Sequence, residues 1–342
     1  MKLPFFRKRP ANAWLDALGQ QYGTYRRPSQ AYGMTTDNEL HFLETYARDQ
    51  FTGRGKIVDL GCWYGATTLS LARGLAANRH ATAHRTIEAF DLFEWHEWMD
   101  PIAQQVSLPR RYANGQSFYD DVKELLRPFG SLVRVAKQDL SGYVPPPVPV
   151  EFLFIDAMKN WDLARNIVAG FFPLLMPKTS YVVQQDFGYY FPENATNHLI
   201  MWYLRDHFEF VHHVPQSCSV VFRCIKQPEA SNLPDFSPSL FSAEMIEDAY
   251  EYSVACVSKE MRALVEVAKL NFLIEQGDRH GEAIRRQMKR IASFSGELTD
   301  PMLAEVRSVA ARSVSEQRLP DDSAAEIDDW TKSLAGARRD GQ

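Results

Sequence analysis

Apolar residues along this chain fall into two patterns. Short continuous runs rich in β-branched and aromatic residues occur at 56–60 (KIVDL), 86–90 (TIEAF), 132–136 (LVRVA), 151–155 (EFLFI) and 180–184 (YVVQQ). Between them lie stretches with helical spacing, such as 66–75 and 161–175. Strand runs alternating with helical patterns predict parallel βαβ units, because parallel neighbours need a long crossover. Two further runs, 207–214 (HFEFVHHV) and 219–224 (SVVFRC), are separated only by Pro215, Gln216, Ser217 and Cys218. So short a link holds no crossover helix and predicts an antiparallel pair. The expected core is a doubly wound, mostly parallel seven-stranded α/β sheet closed by a terminal antiparallel hairpin.

The flanks read differently. Residues 1–50 open with a basic stretch and continue with helix-like faces (Trp14, Leu15 and Leu18, then Leu40, Phe42, Leu43 and Tyr46), so they predict a helical cap before a sheet domain over 51–226. Residues 227–240 are rich in Pro and Ser and predict a linker. From Met245 to Phe272 apolar residues recur at helical spacing, a break falls between Gly277 and Gly281, and two further helical patterns follow, about Ile284 to Ile291 and Pro301 to Gln317. This predicts an all-helical appendage over 241–317. Its apolar stripe needs a cover, either a second copy of the chain or the sheet domain itself. The last residues, 318–342, are polar and read as a loosely attached tail.

Composition narrows the function. The chain has 342 residues, 45% hydrophobic and 24% charged, which is enough to bury a core. Acidic residues outnumber basic ones 43 to 38, for a net charge of −5. That balance disfavours a protein built to coat nucleic acid or an anionic membrane. No run of apolar residues is long enough for a transmembrane helix, and Leu3 to Phe6 are too few for a signal-peptide core. The four cysteines (Cys62, Cys218, Cys224 and Cys256) form no CxxC pair, so free thiols and a cytoplasmic setting are expected. The basic start (Lys2, Arg7, Lys8, Arg9) reads as a solvated terminus.

Candidate chemistry gathers at the ends of the predicted strands, where open α/β sheets bind ligands. The first strand runs into Asp59-Leu60-Gly61-Cys62-Trp63-Tyr64-Gly65-Ala66-Thr67-Thr68. Gly61 and Gly65 permit a tight turn and close backbone approach, and a helix opens near Ala66 with free amides. Three residues between the glycines reject the GxGxxG dinucleotide fingerprint, so an NAD-dependent oxidoreductase is disfavoured. Asp91 ends the second strand, where a carboxylate accepts both ribose hydroxyls, or else caps a loop. Asp139 follows the third strand and either accepts from an adenine amine or caps its own loop. Asp156 and Asp186 follow strands four and five, and hard oxygen ligands there suit Mg²⁺ or a similar cation.

On these residues the chain resembles the class I S-adenosylmethionine-dependent methyltransferases, and within them the macrocin-type sugar O-methyltransferases. The resemblance spans roughly 30–225: the lead-in Gly33-Met34-Thr35-Thr36-Asp37-Asn38-Glu39-Leu40, the glycine loop, Asp91, a helix over 117–128 with Asp139 beyond it, and the closing hairpin. It implies S-adenosylmethionine held by Asp59, Gly61, Cys62, Gly65, Asp91 and Asp139. It also implies a divalent cation, Mg²⁺, held by Asp156, Gln185 and Asp186 and binding the acceptor hydroxyl. Lys159, three residues after Asp156, matches the Asp-x-x-Lys of catechol-type enzymes, where the lysine takes the hydroxyl proton. A nearby dication, a sulfonium and burial would each lower its pKa toward that task. His96 is the alternative base.

The chain also departs from that pattern. Gln185 stands where the family usually has an acid, and Met158 where it tends to have a second one. With less anionic charge, the site is expected to hold Mg²⁺ weakly, and helix-capping by Asp156 or Asn160, a solvated Lys159 and a loop-opening Asp186 are the plain alternatives. Two aromatic segments, Phe93, Trp95, His96 and Trp98, then Tyr189, Tyr190 and Phe191, are candidates for the acceptor pocket. His212 and His213, inside the hairpin, read as structural. The implied activity is O-methylation of a hydroxyl on a sugar, a sugar-bearing metabolite or a glycan end. A cofactor-binding scaffold that has lost catalysis is the alternative.

Overall fold

A computed structural model describes residues 13–81, 84–277, 281–294 and 296–339. The basic start lies outside them. Seven strands form one sheet in the order β3-β2-β1-β4-β5-β7-β6. The strands are β1 (Lys56–Leu60), β2 (Ile87–Asp91), β3 (Val133–Lys137), β4 (Val150–Ile155), β5 (Tyr181–Gln184), β6 (Phe208–His213) and β7 (Val220–Cys224). Each lies within a residue or two of the run that predicts it. The pairings β1–β2, β2–β3 and β4–β5 are parallel, and β5–β7 and β6–β7 are antiparallel. β1 and β4 are buried along their whole length. Continuous apolar runs are what a parallel strand covered on both faces requires.

The chain divides into two compact units, residues up to 137 with 214–217, and residues 138–213 with 218 onward. In the first, α1 (Ala13–Gly19) and α2 (Asp37–Thr45) precede β1, and α3 (Ala66–Ala77), α4 (Asp100–Gln105) and α5 (Tyr119–Leu126) lie among the strands. Thr36 and Glu39 form a reciprocal capping box that fixes the start of α2. α3 packs closely on that helix, since a Cβ at Gly74 would sit 2.2 Å from the Glu44 carbonyl oxygen. Lys56 and Glu88 pair at 2.6 Å within the buried β1–β2 surface.

The second unit carries α6 (Trp161–Phe171) and α7 (Ala195–Tyr203), then α8 (Ala243–Cys256), α9 (Arg262–Gln276), α10 (Gly281–Ala292), α11 (Asp300–Ser315) and α12 (Asp321–Arg339). Two expectations change here, for the first helical run and for the tail. The helical run from Met245 to Phe272 is two helices, because Val257 and Ser258 turn extended (ψ 160° and 164°) before the chain re-enters a helix. Much of the appendage's apolar stripe is buried within the chain: Ile284, Met288 and Ile291 are buried, and so are 11 of the 15 residues of α9. Asn271 donates to the Tyr190 carbonyl at 2.8 Å, so the appendage packs in part against the segment that follows β5. Finally, the polar tail is helical over Asp321–Arg339 and seats Ile327 and Thr331 in the interior, with Arg307 donating to the Thr331 hydroxyl at 3.2 Å. Sparse apolar positions one or two turns apart suffice to attach a helix. No described helix is long and apolar enough to cross a membrane.

Candidate functional site

In the first unit the site is built on the turn from β1 into α3. Gly61, Trp63 and Gly65 have φ of 84°, 42° and 84°. Left-handed backbone is free for glycine but strained for a bulky residue. Two contacts hold Trp63 there: its N–H donates to Asp91 Oδ2 at 2.9 Å, and its indole stacks on Trp95 at 6.4 Å. The Phe93 N–H donates to Asp91 Oδ1 at 2.8 Å. Asp91 thus caps its own loop and the glycine loop together, and a carboxylate with about four acceptor sites keeps capacity for a ligand beside its backbone donors. Burial raises the Asp91 carboxyl and these backbone donors oppose the shift.

Asp59 lies beneath the same turn and is fully buried. Thr67 and Thr68, in the first turn of α3, donate to its Oδ2 at 2.8 and 2.6 Å. Its Oδ1 is buried with no hydrogen-bond partner. Burial pushes its pKa up to about 6, with the two hydroxyls opposing and the Asp91 charge adding. A buried carboxylate beneath a glycine turn and a helix N-terminus sets a negative field under the turn, which fits a ligand that brings a cation, and S-adenosylmethionine carries an ammonium and a sulfonium. Cys62 is buried, and burial with the Asp91 and Asp59 charges raises its thiol well above the ordinary range, so it lines the turn as a neutral group.

Asp139 is exposed and caps a short turn by accepting from the Ser141 N–H at 2.8 Å, which lowers its pKa. The structure realises its loop-capping alternative. Among the loop aromatics, Phe93 and Trp95 are core residues, correcting their reading as pocket walls. Phe93 packs on Phe118, Trp95 on Tyr112 and Phe118, and Trp95 donates to Asp100 at 2.9 Å. Leu92 and Trp98 are the exposed apolar side chains of that loop, 49% and 58%. His96 is half-buried and opens a short helical turn.

Trp63 is a site residue that glycine spacing alone does not mark, although a bulky residue between two loop glycines is a legible sign of strain. The chain Tyr64–Tyr112–Asp121, with hydroxyl contacts of 2.8 Å, left no signal in the spacing.

In the second unit, Asp156, Lys159 and Asp186 come together at the ends of β4 and β5. The Lys159 Nζ donates to Asp156 Oδ1 at 2.5 Å and also to Asp186 Oδ2. Burial alone would lower the lysine, but the two carboxylates outweigh it and hold Lys159 above its ordinary range. A lysine so paired is an ammonium, which counts against its reading as the resting base. Helix capping falls to Asn160, which accepts from the Leu163 N–H at 2.8 Å. Gln185 Oε1 is buried without a partner, and Met158 is buried with its sulfur 3.9 Å from the Gln184 amide.

Among the described residues no group of three His, Cys, Asp or Glu side chains could hold a metal ion. Both carboxylates are engaged by one ammonium, and with the neutral Gln185 amide they make a poor donor set for the expected Mg²⁺. Beside it, Tyr189 stacks on Tyr190 at 4.6 Å, and Phe191 meets both edge-on. His213 accepts from the Ser258 N–H at 3.3 Å, a structural contact, as its position in the hairpin predicted.

No family model and no curated protein matches this chain. Several solved structures resemble it in shape. A calicheamicin methyltransferase is 15% identical with a TM-score of 0.41, covering 62% of this chain and 91% of its own. The apo structure of a TDP-rhamnose 3'-O-methyltransferase of calicheamicin biosynthesis is 17% identical with a TM-score of 0.42, covering 64% and 88%. An O-methyltransferase from Bacillus cereus in complex with SAH is 15% identical with a TM-score of 0.36, covering 64% and 92%.

Proposed function

We propose that the chain is an S-adenosylmethionine-dependent O-methyltransferase acting on a hydroxyl of a sugar or sugar-bearing small metabolite. The observation that carries this reading is the turn after β1. There Asp59 keeps a buried carboxylate oxygen without a partner beneath two left-handed glycines, and Asp91 braces the turn while retaining acceptor capacity. When bound, the cofactor supplies an electrophilic methyl group on a sulfonium. Asp59 attracts its positive charge, Gly61 and Gly65 let the backbone approach, and Asp91 accepts from ribose hydroxyls. Asp139 retains an exposed oxygen as the proposed adenine contact. In this reading 51–226 is the catalytic domain and 241–317 supports it.

Asp156, Lys159 and Asp186 orient the acceptor, and the exposed edge of Phe191 offers an apolar face to a sugar ring. His96 stays a proposed alternative base.

Calorimetric titration with S-adenosylmethionine and S-adenosylhomocysteine tests the reading. Micromolar binding followed by turnover in a panel of hydroxylated acceptors is the expected result. Binding without turnover on any acceptor would favour a cofactor-binding scaffold, for which Met158 and Gln185 speak. No binding of either compound refutes the proposal.

A further inference from the structure

The chain carries its own cation at the ends of β4 and β5. Lys159 donates to Asp156 Oδ1 and to Asp186 Oδ2, the two carboxylates on which a divalent cation would depend. What remains for a metal is poor: Gln185 offers a neutral amide, and Met158 is buried against Gln184. A hard dication prefers six or more oxygens, several of them anionic, and here it would first have to expel an ammonium bonded to both acids. The arrangement therefore differs from a metal site in kind. One positive charge on a tether takes the place of two on a free ion.

Resting on the methyltransferase reading above, we infer that the Lys159 ammonium stands in for the divalent cation, so that the acceptor hydroxyl is bound by Lys159 and methylation needs no metal. An ammonium has three N–H donors, and the two carboxylates take two of them. The Nζ makes these two hydrogen bonds, which leaves the third donor for a ligand oxygen. Two carboxylates and one ammonium leave the cluster with a net charge of −1, so it selects an uncharged hydroxyl and disfavours an anionic acceptor. In the transfer the acceptor oxygen gains the methyl carbon, and the carbon–sulfur bond breaks with its electron pair going to sulfur. The hydroxyl proton passes to the Asp156 or Asp186 carboxylate and then to water.

The test is a Mn²⁺ titration followed by electron paramagnetic resonance, on the wild-type chain and on Lys159→Met and Lys159→Gln. Circular dichroism checks that each variant is folded. Wild type is expected to leave Mn²⁺ free up to about 1 mM, and the variants to bind it at least about tenfold more tightly, through Asp156, Asp186 and the Gln185 oxygen. Wild type binding Mn²⁺ as tightly as the variants overturns the inference. So does failure of every folded variant to bind, because the two carboxylates would then form no cation site for the ammonium to fill. Methylation by wild type should be unchanged by EDTA, and loss of turnover on chelation is a second refuting result. Titration with S-adenosylhomocysteine separates the two claims. Its failure removes the methyltransferase reading, while the Mn²⁺ comparison still decides the role of the lysine.

Discussion

Replacing Asp59 by Asn should make the protein more stable and the cofactor site weaker, and pH separates the two effects. Asp59 has its pKa raised from 3.8 to about 6 by burial, against the pull of the Thr67 and Thr68 hydroxyls. The unfolded chain therefore releases this proton at lower pH than the native one. Stability falls as pH rises from about 4 to about 6, and above that range the full penalty is present. A shift of about two units corresponds to about 3 kcal/mol.

Asparagine keeps an oxygen for the two threonine hydroxyls and puts an amide NH₂ where Oδ1 has no partner, at a cost of about 1–2 kcal/mol. The expected net gain is thus about 1–2 kcal/mol at about pH 8, turning into a loss of similar size at about pH 4, where Asp59 is itself neutral. The robust quantity is the difference between the two pH values, about 3 kcal/mol, because the amide's own cost cancels from it. Urea unfolding of both proteins at each pH, without cofactor, measures it. A stability difference that is the same at both pH values refutes the buried, strained carboxylate. In parallel, calorimetry should show S-adenosylhomocysteine binding Asp59→Asn more weakly, by roughly 5–10-fold, since a buried charge a few ångströms from the ligand ammonium contributes on the order of 1 kcal/mol. Such opposed effects mark a residue kept for function at the expense of stability.

Other changes have equally definite outcomes. Asp91→Ala frees the Trp63 and Phe93 N–H groups, so it should lose about 2–4 kcal/mol of stability as well as cofactor affinity, read by unfolding and calorimetry together. Gly65→Ala must hold φ near +84° with its Cβ 3.3 Å from Val122. A loss of about 1–3 kcal/mol in urea unfolding is expected, and an unchanged midpoint would show that the turn relaxes. His198 is fully buried, both ring nitrogens lack partners, and burial lowers its pKa from 6.5 to about 3. Stability should fall as pH drops from about 6.5 toward 3, and His198→Phe should flatten that limb of the acid-unfolding curve. Ile327→Ala should cost about 2–4 kcal/mol in urea unfolding, and a change near zero would show the last helix to lie outside the cooperative fold.

What could be read from the sequence follows from the range of the forces involved. Strands such as Lys56–Leu60 and Val150–Ile155 are visible because burial on both faces of a parallel sheet writes a continuous apolar run into consecutive residues. Gly61, Gly65 and Asp91 are visible for a similar reason: a turn at a strand end constrains its own few residues. The same locality limits what a short window of sequence can show. Phe93 and Trp95 share a segment with Trp98, and only three-dimensional packing sorts two core residues from an exposed one. Val257 interrupts a helix whose apolar spacing continues on both sides, so periodicity alone cannot show the break. Ile327 and Leu334 are too few to outweigh a polar tail in any window, yet they suffice once α11 offers a surface. Lys159 is the sharpest case. Its distance from Asp156 is local and reads as a catechol-type pair, but its charge state depends on Asp186, which is 27 residues away in sequence. A spacing motif identifies which groups share a strand end. Whether a lysine there acts as base or as cation is decided by how many carboxylates the neighbouring strand brings to it, and here two carboxylates share one ammonium.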